Sequence, residues 1–306
     1  MAISKYLVAA GEFCLRYKCA TRMVGSQPDG DSVRFRPDVP TRFDPLPRVG
    51  RKPEFNTAGT VQLRLEAIDA LETHFDFAVH AHQRWDLGLG ARDFTLKALG
   101  FGPVTYCGSN DLTVGETAPD PVPGYVIAGG IDSNGRPVAF AFSGKPPQKS
   151  GTWLDPDVSW LKSSVNCKLA AAGLAYPAYY STVPYKLRVH FDGLFKKAQQ
   201  SAKPAGLWQS GVDKTASGVP AANATALQDL AVWPKLFRRL ITYSKSGGTP
   251  DGFKKWLETT DKGKPVDDEA WVIGTDEKVW LRDIFEVRNG KVAMTVEPRR
   301  LIIEPK

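Results

Sequence analysis

Val61-Gln62-Leu63-Arg64-Leu65-Glu66-Ala67-Ile68-Asp69-Ala70-Leu71-Glu72-Thr73-His74-Phe75 is the stretch on which the reading of this 306-residue chain turns. Val61, Leu63, Leu65 and Ala67 alternate with Gln62, Arg64 and Glu66, the period-two pattern of a strand with one face in a core. Arg64 therefore projects from the face opposite Leu63 and Leu65. The apolar alternation then stops, and Asp69 and Glu72 are expected in a short loop beyond the strand. An arginine on a strand with two carboxylates past its end can hold an anion and a cation together, a combination suited to phosphate-ester chemistry.

Outward from this stretch the chain alternates short strands with turn signals. Residues 33–37, 124–128 and 138–142 read as strands, the last two joined across Asn134-Gly135, a hairpin signal that puts Arg136 at the root of the returning strand. Helices are expected over residues 91–99 and 158–172, closed by Gly100 and Gly173, and over 184–202. Leu87-Gly88-Leu89-Gly90 is too rich in glycine to open the first of these well. On the third, Leu187, Val189, Phe191, Leu194, Phe195 and Ala198 are the expected buried positions. Short strands followed by helices suggest a small β-barrel capped by helices.

Past Trp208, residues 209–224 are small and polar and read as a linker, which divides the chain into a domain over 1–208 and an accessory domain over 209–306. A helix over 227–244 is expected to break or restart at Pro234. Strands around Asn289-Gly290 follow. The C-terminal region carries 16 Lys+Arg against 14 Asp+Glu, and residues 1–208 carry 24 against 19, so the excess positive charge lies mainly in the first domain. Lys196-Lys197 and Arg238-Arg239 read as solvated faces, either of which could extend a nucleic-acid path.

Composition sets the outer bounds. A hydrophobic content of 42% and a charged content of 24% are those of a soluble globular protein rather than a disordered one. The formal net charge of +7 favours a polyanionic partner. Cys14, Cys19, Cys107 and Cys167 form no Cys-x-x-Cys pair, so neither a zinc knuckle nor a dithiol redox motif is indicated. No segment approaches the roughly 18 apolar residues of a membrane helix, and the first twelve residues are too soon interrupted for a secretory signal. The expectation is a cytoplasmic protein that does not engage a membrane.

Three motifs in order carry a family resemblance. Asp29-Gly30-Asp31-Ser32-Val33, the run from Leu63 to Thr73, and Asp132-Ser133-Asn134-Gly135-Arg136 resemble the ordered motifs of the staphylococcal nuclease (thermonuclease) family. Val165-Asn166, Gly173-Leu174-Ala175, Tyr179 and the segment 184–208 continue the similarity, which covers roughly residues 20 to 208 with three insertions. The resemblance implies an α+β fold, an OB-fold β-barrel capped by helices, here followed by a smaller mixed α/β C-terminal domain. It implies calcium-dependent hydrolysis of DNA or RNA phosphodiesters, with Asp31 and Asp69 as calcium-binding carboxylates and the Ala70 carbonyl as a backbone ligand. Glu72 would be the general base for the attacking water, Arg64 and Arg136 would hold the scissile phosphate, and Tyr179 would contact substrate. Asp29 either supports the metal ligands from behind or simply forms the turn. A protein partner through the C-terminal domain is an open expectation. Leu71 stands where the family has proline, Ser133-Asn134 where it has Lys-Tyr, and Ser181 where it has a second tyrosine. These differences suggest the alternative of a catalytically silent module that only binds nucleic acid or protein.

Overall fold

The computed structural model describes residues 3–19, 22–75, 80–108, 112–202, 206–261, 263–275 and 277–305. Its centre is a nearly closed, six-strand barrel-like sheet, and seven α-helices occur among the described residues. The barrel strands are β1 (Tyr6–Phe13), β2 (Arg34–Pro37), β3 (Val61–Gln62), β4 (Arg64–Leu65), β6 (Val122–Ile131) and β7 (Pro137–Ser143), while β5 (Ala67–Ala70) leaves the barrel. Their hydrogen-bonded order is β3-β2-β1-β6-β7-β4. The two edges of this sheet are thus consecutive pieces of one stretch, residues 61–65.

That stretch closes the barrel because it bonds on both sides. Arg34 and Phe35 pair with Gln62 and Val61 on one side, and Val138 and Ala139 pair in parallel with Arg64 and Leu65 on the other. Leu63 N–H donates to Val33 O at 2.9 Å and Leu65 N–H to Asp31 O at 2.8 Å, which anchors Asp31 beside Arg64. The alternation expected there holds: Val61, Leu63 and Leu65 are buried while Gln62 and Arg64 are only partly so. Full burial of three such side chains stabilises the closure by several kcal/mol, at roughly 1.5–3 kcal/mol each.

The strand then changes partner. Ala67 takes φ +68°, the left-handed region that an L-residue enters at some cost, and the backbone turns out of the barrel into β5. There it pairs antiparallel with β8 (Ala175–Tyr180), Asp69 opposite Tyr176. Asp69 therefore lies within a strand and not in the loop that the end of the apolar alternation suggested, because Ala67, Ile68 and Ala70 are buried on both faces and hide the period. β8 in turn pairs in parallel with β11 (Leu301–Ile303), which joins β9 (Glu269–Val272) and β10 (Lys278–Trp280) in one five-stranded sheet.

Helix α1 (Trp85–Leu99) begins earlier than its glycines suggested. A Cβ on Gly88 would come within 3.2 Å of the Thr73 side chain, so the small residue lets the helix lie close against the chain after β5. The segment expected as one helix over 158–172 is two. Ser164 accepts a hydrogen bond from Cys167 N–H at 3.1 Å and caps a fresh start at α2 (Val165–Ala172). Gly100 and Gly173 end α1 and α2 in the left-handed conformation, as expected. On α3 (Tyr185–Ser201), Val189 is 52% exposed and not buried, since it falls outside the stripe formed by Leu187, Phe191, Phe195 and Ala198.

Residues 209–224 do not run free as a linker. Tyr176 Oη donates to Asp213 Oδ1 at 2.7 Å, and Val219 pairs with Val292 in a small sheet. Pro234 opens α4 (Pro234–Ser244) at its first turn, where its missing N–H costs nothing. Leu236, Phe237, Leu240 and Ile241 of α4 form the middle of a second apolar cluster, which also takes in Leu71, Leu87 and Tyr176 from the earlier part of the chain.

Asn166, fully buried on α2, ties helix to barrel. Its Oδ1 accepts from Ala141 N–H at 3.0 Å, and its Nδ2 donates to Glu66 O at 2.9 Å and Ala139 O at 3.1 Å. Asn166→Leu leaves the Ala141 N–H unsatisfied, and we expect a loss of roughly 2–4 kcal/mol in unfolding free energy. A urea midpoint indistinguishable from that of the unaltered protein would contradict this.

Candidate functional site

Asp31 is positioned from three directions. Its carbonyl is bonded to β4, and the preceding Gly30 is wedged so closely that a Cβ there would lie 2.7 Å from the Cβ atoms of both Ala70 and Ala91. Thr95 Oγ1 on α1 donates to Gly30 O at 2.6 Å. Only glycine between the two aspartates lets the loop enter this gap. Asp29 accepts from Thr73 Oγ1 and lies 3.3 Å from His74 Nδ1, so it fastens the chain after β5.

Asp31, Arg64, Asp69, Glu72 and Arg136 all line one cavity of about 650 Å³. Asp29 lines it as well. Ala70 does not: its side chain packs against Gly30, which leaves only the expected role of its carbonyl. Tyr179 also lies elsewhere, fully buried against Phe195. The cavity instead receives Tyr180, the next residue of β8, because successive strand residues point to opposite faces. Tyr180 Oη accepts from Arg64 Nη2 at 2.9 Å, and the Arg64 guanidinium carbon sits 4.8 Å from the ring centre. Arg136 is held at its hairpin by Asp132, with Nε at 2.9 Å and Nη2 at 2.8 Å from Oδ2.

The opposite wall comes from beyond residue 208. Lys235, Arg238 and Arg239 stand at i, i+3 and i+4 on α4, the spacing of a single helix face. Arg238 grips Asp69 through both carboxylate oxygens, Nη1 to Oδ1 at 3.2 Å and Nη2 to Oδ2 at 2.7 Å, and its Nη1 also donates to Glu72 Oε1. Lys235 Nζ and Arg239 Nη2 both bond Asp268 Oδ2, at 3.1 Å and 2.7 Å. Arg238-Arg239 is therefore no solvated face. Its placement escapes sequence reasoning because Arg238 and Asp69 are 169 positions apart; the basic i, i+3, i+4 spacing opposite an apolar stripe is the signal that marks it.

Electrostatics follow from this crowding. Burial, with Asp69, Asp29 and Glu72 nearby, pushes the Asp31 carboxyl up to about 8. Burial also pushes Glu72 up to about 7, against the pull of Arg238 and with a further push from Asp29 and Asp69. Burial alone would raise Asp69 too, but the Arg238 fork, with Arg64 and Lys235 behind it, holds it below the usual carboxylate range. Tyr180 is lowered, since Arg64 and Lys235 outweigh its burial.

Asp31 and Asp69, which both line the cavity, carry the kind of oxygen donors that a hard cation such as calcium takes. Asp69, Asp29 and Glu72 act on the Asp31 carboxylate as like charges, and Arg64 opposes them. Among the described residues, however, no group of three His, Cys, Asp or Glu side chains forms a ready-made metal cage. Also among them, no helix is long and apolar enough to cross a membrane. Neither known protein families nor curated proteins gave a match to this chain.

Glu66, at the cavity edge, is buried beside Tyr6 and pushed by that burial up to about 8, with Arg64 opposing. An acid raised from 4.5 holds a proton in the folded state that the unfolded chain has released. Its contribution is therefore complete below about pH 4.5 and is lost as pH rises through 8. Glu66→Gln is expected to remove roughly 1.4 kcal/mol per pH unit of declining stability between pH 5 and 8. Urea unfolding at pH 5.5 and 7.5 measures this, and an unchanged slope would exclude it.

Proposed function

We propose that this chain is a nuclease of the staphylococcal nuclease type, built on an OB-fold barrel and hydrolysing DNA or RNA phosphodiesters with calcium. The observation that carries the reading is convergence: two arginines and three carboxylates from three separate stretches, residues 31, 64–72 and 136, line a single cavity. A structural set of surface ion pairs has no reason to gather this way.

In this reading Arg64 and Arg136 hold the phosphate. Each is itself fixed by a neighbour, Arg64 by Tyr180 and Arg136 by Asp132, so little orientation is lost when an anion arrives. Their planar forks would stabilise the negative charge that grows on the phosphoryl oxygens as water attacks. Glu72 removes the water's proton; its raised affinity for protons places it near neutral pH, where a general base works best. Calcium, held by Asp31, Asp69 and the Ala70 carbonyl, would add positive charge to the phosphate and acidify the water.

One observation favours the silent alternative. Arg238 already neutralises Asp69 and Glu72, as it would in a protein that binds a polyanion without cutting it. Digestion of single- and double-stranded substrates with calcium and with chelator separates the two. The nuclease reading expects calcium-dependent cleavage, a loss of at least about 10²-fold in Glu72→Gln, and a loss of roughly 10²-fold in Arg64→Lys. Salt-sensitive binding with no turnover would establish the binding module instead.

A further inference from the structure

Arg238 holds the same groups that the proposed chemistry assigns to a metal ion and a water molecule. Both oxygens of Asp69 accept from its fork, and so does Glu72. A hard cation bound to Asp69 would sit roughly 2.3–2.6 Å from the same carboxylate. That places two positive charges on one carboxylate in a partly desolvated cavity, where their repulsion is weakly screened.

The helix cannot relieve this by withdrawing. Leu236, Phe237, Leu240 and Ile241 are all completely buried, and Lys235 and Arg239 clamp the same turn to Asp268. The Arg238 side chain lines the cavity and is 26% exposed, so a change of rotamer does not require the packed helix to move. Exchange is therefore a matter of one side chain changing rotamer on a fixed helix.

We propose that Arg238 competes with a divalent cation for Asp69, and that its place there also occupies Glu72. This rests on the nuclease reading above and extends it to regulation and substrate binding. With no metal, Arg238 neutralises the pair and the site is shut to catalysis, since Glu72 is occupied as a hydrogen-bond acceptor. When a divalent cation takes Asp69, Arg238 releases Glu72 as well, turns toward Arg64 and Arg136, which line the same cavity, and becomes a third arginine for the substrate phosphate. The residue thus weakens metal binding and strengthens substrate binding. The apparent metal affinity is reduced in proportion to the fraction of molecules with the arginine out.

Calcium titration by calorimetry, together with thermal unfolding in chelator and in calcium, tests this on the full chain, on Arg238→Gln and on Arg238→Lys. Without its fork the glutamine variant is expected to melt lower than the unaltered protein in chelator, to gain more from calcium, and to bind calcium at least about tenfold tighter. The lysine variant, charged but without a planar fork, should fall between them, and it keeps the test open if the glutamine variant does not fold. With calcium saturating, either substitution should raise KM for an oligonucleotide more than it lowers kcat. Equal calcium affinity and equal calcium-induced shifts in all three proteins would overturn the competition and leave the nuclease reading standing. No calcium binding and no hydrolysis in any of them would overturn both.

Discussion

Carboxylates gathered inside a protein must find positive charge or give up their own. Asp29, Asp31, Asp69 and Glu72 lie together at the end of a barrel, and the remainder of the site can be understood as the answer to that crowding. Asp69 and Glu72 meet it by pairing with Arg238, although burial still raises Glu72; Asp31 meets it by holding its proton more tightly, and Asp29 by its bonds to Thr73 and His74. Removing one member of such a set leaves a buried charge uncompensated, which costs far more than an exposed pair is worth. The barrel, the second sheet and α4 are all placed so that this balance is met from several parts of the chain at once.

The barrel's contribution is geometric. Because residues 61–65 bond to strands on both sides, Arg64 cannot shift without opening the closure. The turn at Ala67 then carries Asp69 out of the barrel and into a sheet shared with residues 269–303. Arg64 and Asp69 thus belong to one continuous stretch but to two different sheets. Relative motion of those sheets would change the spacing between Arg64 and Asp69, so the apolar cluster that joins α4 to Leu71 and Tyr176 helps to fix the shape of the cavity.

Local signals in the sequence were good guides to local structure. The alternation over Val61–Leu65, the Asn134-Gly135 hairpin and the glycine ends of α1 and α2 each depend on a few neighbouring residues, and each appears as read. Asp31, Arg64, Asp69, Glu72 and Arg136 are legible for the same reason, through short motifs, whereas Arg238 and Arg239 are not. What was hidden depends on distant partners. Asp69 looked like a loop residue because β5 is buried on both faces. Gly88 looked like a helix breaker because its close neighbour Thr73 is not adjacent in sequence. Residues 209–224 looked like a linker because small residues suit a tight crossing as well as a free one. The family resemblance marks Tyr179, but the alternation of β8 turns Tyr180 into the cavity instead.

The separation of 169 positions between Asp69 and Arg238 has a consequence for how the molecule is made. A chain emerging from the ribosome presents its barrel and its clustered carboxylates well before α4 exists. Contacts that close such long loops form slowly. During that interval Asp69 and Glu72 lack the guanidinium that pairs them in the finished fold. The completed acidic cluster is therefore a late product of folding, finished only when α4 docks.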